Sequence, residues 1–299
     1  MIEIKQVCKK FSSYKALDDL NISVNKGSVY GLLGPNGAGK TTIIKHLVGV
    51  YRQDKGEVLV DQKPVWENED IKKRMVYIAD DTFFFSQYTI LETAKFYSAI
   101  YPTWCWERYE RLKKVFPIET NRRVTRLSKG MQKQVAFWMG ICIKPDIMIL
   151  DEPVDGLDPV MRRKVWNLLL QDVAERKMTV IVSSHNLREL EDVCDHVGIM
   201  YNGKIIVEKN LDDIKSDVHK IQIAFKEGVP KDFLSKQKIL HRTENGSILL
   251  FIVRGDIEKI LSEITKSNPV VLDVLPLTLE EIFIYELEGN GYEIGNILI

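Results

Sequence analysis

Between the apolar pentad Val29 to Leu33 and the helically spaced Ile43, Ile44, Leu47 and Val48 stands Gly34-Pro-Asn-Gly-Ala-Gly-Lys-Thr-Thr42. This stretch fits G-x-x-x-x-G-K-[ST], and it does so in the strand, loop and helix setting that gives the pattern meaning. Glycines let the backbone wrap a phosphate chain so that successive N–H groups point inward, and the helix that follows offers its positive end to the same charge. Gly34, Pro35, Asn36, Gly37, Ala38, Gly39, Lys40, Thr41 and Thr42 are therefore candidate nucleotide-binding residues. Lys40 is expected to reach the β and γ phosphates, and the Thr41 hydroxyl to ligate Mg²⁺. A loop of this kind belongs to an α/β fold.

Further apolar runs at Ile147 to Leu150, Val180 to Val182 and Val197 to Met200 lack the alternation of half-exposed strands. That is how strands covered on both faces of a parallel sheet read. Between about Phe83 and Gly130 the strand signal vanishes. Leu91, Phe96, Tyr97, Leu112, Val115 and Phe116 then recur at helical spacing, which predicts a helical insertion. After the turn pair Asn202-Gly203 the character changes again. Strands near Ile221 to Phe225 and Val270 to Val274, a hairpin at Asn245-Gly246 and a helix from Asp256 to Thr265 predict a small α+β module. A last helix is expected from the capping-box pair Thr278 and Glu281, with Leu279, Ile282 and Phe283 on its apolar face.

The run Ile147-Met-Ile-Leu-Asp-Glu-Pro153 closes a buried strand with two carboxylates, at the strand end where open parallel sheets bind ligands. Asp151 is expected to hold Mg²⁺ through water, and Glu152 to polarise a water that attacks the γ-phosphate. Acidic residues also end strands for solubility, so this pair gains weight only beside the phosphate loop.

Composition bounds the rest. The 299 residues include 42 Lys plus Arg against 42 Asp plus Glu, and this balance gives no reason to expect nucleic acid as the partner. No apolar run reaches the eighteen or so residues of a membrane helix, and the opening MIEIKQVCKK lacks a secretory leader. The chain is thus expected to stay in the compartment where it is made. Cys8, Cys105, Cys142 and Cys194 form no Cys-x-x-Cys pair and read as reduced, mostly buried thiols.

With three further stretches, these motifs resemble the nucleotide-binding subunits of ABC transporters. Leu127-Ser-Lys-Gly-Met-Gln132 resembles that family's signature, Asp155-Gly-Leu-Asp158 its D-loop, and Ser183-Ser-His185 its switch segment. The resemblance covers about residues 1–209, with a helical subdomain at about 83–133, and leaves 210–299 as an accessory α+β domain. It implies a P-loop NTPase with a RecA-like core, an antiparallel β-subdomain and the helical insertion. It also implies ATP and Mg²⁺ as cofactors and two subunits closing head to tail on two ATP molecules. On that reading Ser128 and Gly130 meet the γ-phosphate held by the other subunit, Asp158 lies beside the facing phosphate loop, and His185 holds the attacking water against Glu152. Phe11 aligns with the aromatic that stacks on adenine, with Tyr14 as the substitute. Leu-Asp-Pro is equally an N-cap followed by Pro in the first helical turn.

Departures from the family pattern are as informative. Ala79-Asp80-Asp81 stands where the family commonly has Gln; Asp80 aligns with it, leaving open whether it meets Mg²⁺ directly, through water, or not at all. Lys129 and Met131 replace Gly and Gln in the signature. The resemblance further implies a second ABC ATPase subunit, identical or not, a multi-span membrane permease, and a place on the cytoplasmic face of the membrane. In that setting the aromatics Phe83 to Phe85, Tyr97, Tyr101, Trp104 and Trp106 are candidates to line the groove that receives a helix of the permease. With its C-terminal extension of about ninety residues carrying Leu279-Glu-Glu-Ile-Phe283, the chain resembles bacterial exporter ATPases of the ABC-2 group, which implies export of a drug, peptide or lipid-like substrate. A relative acting in translation or DNA repair, and a nucleotide-gated sensory module without turnover, are the other readings.

Overall fold

The computed structural model describes residues 1–153, 156–185, 190–211, 213, 218–226, 239–246, 248–278 and 281. Asp155 and the expected last helix with Leu279, Ile282 and Phe283 lie outside them. The chain divides into two compact units, residues 1–208 and 209–299.

The first unit is built on a sheet of order β10-β9-β3-β8-β7-β6. Its strands are β3 (Val29–Leu33), β6 (Met75–Ile78), β7 (Ile147–Asp151), β8 (Thr179–Ser184), β9 (His196–Tyr201) and β10 (Lys204–Asn210). Every residue of β3, β7 and β8 is buried, which is why their sequences show unbroken apolar runs instead of alternation. The pairings among β3, β6, β7, β8 and β9 are parallel. Register then decides where chemistry can gather. Leu33 pairs with Ser184, Asp151 with Ser183 and Ile78 with Leu150, so the segments leaving β3, β8, β7 and β6 emerge side by side at one edge.

A second sheet, of order β2-β1-β4-β5, is antiparallel. It comprises β1 (Ile2–Phe11), β2 (Tyr14–Val24), β4 (Lys55–Val60) and β5 (Lys63–Pro64). Helix α1 (Lys40–Leu47) starts at the phosphate loop. Its Ile43, Ile44 and Leu47 share one core with Leu17 and Leu20 of the second sheet and Ile149 and Ile181 of the first. The loop is thereby seated between two sheets.

A short helix, α2 (Glu69–Lys72), precedes β6, and the insertion that follows is helical as expected: α3 (Ile90–Ile100), α4 (Trp106–Leu112), a 3₁₀ turn (Val124–Arg126) and α5 (Lys129–Cys142). Thr89 and Glu92 form a capping box at the start of α3. Tyr109, Trp138 and Phe116 stack inside, with ring centroids 4.8 and 6.0 Å apart. Helix α6 (Pro159–Arg176) connects β7 to β8. Cys142 and Cys194 are buried, and burial pushes both thiols up; Cys8 and Cys105 are only half-buried. No helix among the described residues is long and apolar enough to cross a membrane.

The second unit is an antiparallel sheet of order β12-β13-β11-β14 with one described helix of its own, α7 (Ile257–Thr265). Its strands are β11 (Val218–Ala224), β12 (Ile239–Asn245), β13 (Ile248–Arg254) and β14 (Val271–Leu275). Asp256 caps α7 by accepting from the Glu258 and Lys259 amides. Ile221, Ile223, Leu249, Phe251, Ile260 and Ile264 form a core belonging to this unit.

Candidate nucleotide site

Gly39 shows why the loop needs its glycines. At φ 110° it occupies backbone space that disfavours side chains, and a Cβ there would come within 2.8 Å of the Ala16 carbonyl oxygen. The loop delivers Lys40 to a buried position, where its Nζ donates to the Gly34 carbonyl at 2.6 Å and the Pro35 carbonyl at 3.2 Å. The same ammonium lies 3.5 Å from Oε1 of Glu152. Oε2 of that carboxylate is 3.0 Å from Nδ1 of His185. Three residues, from the start of α1 and the segments leaving β7 and β8, thus form one line: Lys40, Glu152, His185.

Asp151, the last residue of β7, is buried and held from several sides. Oδ1 accepts from the Ser183 hydroxyl at 2.5 Å and the Thr41 hydroxyl at 3.3 Å, while Oδ2 accepts from the Tyr77 hydroxyl at 3.5 Å. Burial and the adjoining Asp151 charge push the Tyr77 phenol up, so it remains a donor. Glu152 stands at φ 43°, a left-handed conformation rare for a residue with a side chain. Its amide donates to both the carbonyl and the hydroxyl of Ser183, each at 3.2 Å.

A cleft of about 310 Å³ opens over Lys40 and Glu152. It is walled by Tyr14, the loop residues Pro35 to Gly37 and Gly39 to Thr42, Asp80 and Glu152. Phe11, the aligned adenine partner, is not in that wall. Its ring meets Tyr51 edge-on at 5.4 Å, after which Ser12 turns the chain at φ 53° and Tyr14 takes the place beside the loop. The Tyr14 hydroxyl lies 3.3 Å from the Gly37 carbonyl. Asp80 reaches the cleft but pairs with Lys133 at 3.3 Å.

Ser128, Gly130 and Asp158 do not line the cleft. Ser128 caps α5 by accepting from the Met131 amide at 3.3 Å, and both it and Lys129 are exposed. Asp158 caps α6 by accepting from the Val160 and Met161 amides, with Pro159 opening the helix. Gly130 has a local reason to be glycine: a Cβ would sit 2.3 Å from the Gly156 carbonyl oxygen. The stretches that resemble the signature and the D-loop therefore approach closely within one chain, at Gly130 and Gly156. Sequence reasoning missed Tyr77 and Lys133. Each left a mark, a hydroxyl inside the apolar strand Met75 to Ile78 and a lysine on the same helix face as Phe137 and Ile141.

The matching family model, ABC transporter, spans residues 17–155. The chain is 32% identical over 218 residues to the bacitracin transport ATP-binding protein BcrA of Bacillus licheniformis, covering 72% of this chain and 71% of BcrA. The chain belongs to the ABC transporter ATP-binding proteins. It is also 29% identical over 290 residues to the ABC transporter ATP-binding protein YtrB of Bacillus subtilis (strain 168). That match takes in 97% of this chain and 99% of YtrB, so the likeness extends into the second unit. The fold matches the dimeric structure of MJ0796, a bacterial ABC transporter cassette, with a TM-score of 0.65 over 71% of this chain and 99% of that one, at 22% identity. As a member of this family the chain binds nucleotide and is an ATPase, the ATP-binding subunit of an ABC transporter.

Proposed function

We propose that this ABC ATPase hydrolyses ATP at a site completed by a second ABC ATPase subunit, and that each turnover drives a separate multi-span permease. The observation that carries the reading is the Lys40, Glu152, His185 line, with gaps of 3.5 and 3.0 Å, whose first two members line the cleft. Amides of the loop from Gly34 to Thr42 bind the triphosphate, and Lys40 neutralises its β and γ groups. Glu152 acts as general base on the attacking water, and His185 orients that water against it. A base so placed contributes about 10²- to 10⁴-fold in rate.

The donors around Thr41 suit Mg²⁺: a hydroxyl and a buried carboxylate 3.3 Å apart are hard oxygen ligands, one of them able to act through water. Bound there, the ion would offset charge on the β and γ oxygens. Asp80 faces the same cleft, but its pairing with Lys133 favours a role in placing that lysine over direct ligation. For adenine, Tyr14 is the better placed ring, and Phe11 the alternative.

Ser128, Gly130 and Asp158 stand apart from the cleft in their own chain, which is what a head-to-tail dimer requires of residues that serve the other subunit's nucleotide. Lys129, exposed beside them, would add a cation to that shared site. The permease is assigned to the apolar cleft of about 280 Å³ that Tyr77, Phe83, Phe84, Tyr97, Tyr101 and Met139 help to line. Phe83 is 82% exposed there, a large ring with little cover. On this reading the chain sits peripherally on the cytoplasmic face of the membrane, held by the permease. The name of BcrA, a bacitracin transport ATP-binding protein, supports a drug, peptide or lipid-like cargo, and we read the direction as export. Residues 1–209 act as the ATPase domain and 210–299 as an accessory domain.

The test is affinity purification from the native host membrane together with an ATPase assay. A multi-span membrane protein should copurify, and Phe83→Asp should release it while the chain still binds ATP. Copurification with ribosomes or DNA instead would overturn the transport reading.

A further inference from the structure

Lys133 is 5% exposed, on the second turn of α5 and on the face that also buries Phe137 and Ile141. An ammonium group taken from water is tolerated only where it is paired and hydrogen-bonded. Its Nζ donates to the Glu152 carbonyl at 2.8 Å and meets Asp80 Oδ1 at 3.3 Å. The Asp80 side chain is 62% exposed, so water screens that ion pair, and the short bond to the Glu152 carbonyl is the stronger anchor.

Glu152 is gripped at both ends of its main chain. Ser183 receives its amide, and Lys133 caps its carbonyl. Between them lies the left-handed φ of 43°. Such a conformation persists only when its surroundings over-determine it, and here it directs the carboxylate to Lys40 and His185. Released from Lys133, the carbonyl would be free to turn and the Cα–Cβ direction would turn with it.

We propose that Lys133 is a positioning residue for Glu152: its grip on the Glu152 carbonyl fixes the backbone that aims the base, and its pairing with Asp80 ties that aim to the segment leaving β6. The inference rests on the reading of Glu152 as general base. Ser128 caps the same helix, so the residue offered to a second subunit and the clamp on Glu152 are parts of one rigid element.

The test is steady-state and single-turnover ATP hydrolysis by the intact chain carrying Lys133→Met, Lys133→Arg, Glu152→Gln, or Lys133→Met with Glu152→Gln. Lys133→Met should lower kcat about 10- to 100-fold, the scale expected when a reacting group is displaced by about an ångström. KM for ATP should move less than about twofold. Lys133→Arg, which keeps the charge and the donors, should recover most of the rate. In the Glu152→Gln background Lys133→Met should change residual hydrolysis by less than about twofold, because a residue acting through Glu152 has nothing left to aim. If circular dichroism shows Lys133→Met unfolded, Lys133→Gln takes its place. Wild-type kcat in the neutral variant, a full additional loss in the double variant, or a loss of ATP binding in place of kcat would each overturn the proposal. Glu152→Gln turning over at the wild-type rate would instead remove the general-base reading beneath it.

Discussion

Strands β6 and β7 run side by side in the parallel sheet, and acidic residues follow or end both, yet the two ends are built differently. At the end of β7, Asp151 is 2% exposed and accepts hydrogen bonds from Ser183, Thr41 and Tyr77. Just past β6, the Asp80 side chain is 62% exposed and meets one buried lysine. Position on a parallel sheet brings a carboxylate to the ligand edge; the donors around it decide whether it is fixed or adjustable. The β7 end is the fixed half of the site, and the β6 end is the half whose geometry can respond to its neighbours.

The sharpest way to break this contrast is at Glu152. Glu152→Gln is expected to lower hydrolysis by about 10²- to 10⁴-fold while leaving ATP binding in place, measured by phosphate release and by nucleotide fluorescence. Asp80→Asn should fall far short of that, because Lys133 keeps its bond to the Glu152 carbonyl. An equal loss in both variants would erase the distinction between the two ends. Next in size is the effect on ATP affinity: Tyr14→Ala should raise KM for ATP about five- to tenfold through lost stacking, and Phe11→Ala by less. Stability comes third. Asp151→Asn should cost about 1–3 kcal/mol in urea unfolding, because the buried donors around it lose a charged acceptor. Asp80→Asn should cost no more than about 1 kcal/mol, as suits an exposed ion pair. Smallest is Tyr77→Phe, which removes one long hydrogen bond to Asp151 and should lower stability by no more than about 0.5 kcal/mol.

The parallel sheet was legible because burial on both faces leaves strands such as Ile147 to Leu150 unbroken and apolar. The phosphate loop was legible because its chemistry needs fixed residues at fixed spacing. The antiparallel sheet did not announce itself residue by residue. In β1 the pairing register shifts between Ile4 and Val7 and again on either side of Lys9, and Gln6 sits at φ 50°, so the alternation that marks a strand is lost. Only the family resemblance anticipated that sheet. Lys133 escaped for a related reason: on sequence alone a lysine in a helix reads as solvent-facing, and its burial depends on Asp80 and Glu152, 53 and 19 residues away. Phe11 and Tyr14 were both in view, but the turn at Ser12 that decides which ring faces the loop is a backbone event no composition reveals.

The most direct measurement is a crystal structure of the Glu152→Gln chain grown with ATP and Mg²⁺. The triphosphate should lie along the backbone from Gly37 to Thr42, with its terminal phosphate between Lys40 and the side chain at position 152 and a second subunit's Ser128 facing it. Nucleotide bound anywhere else, with that loop empty, would contradict the account.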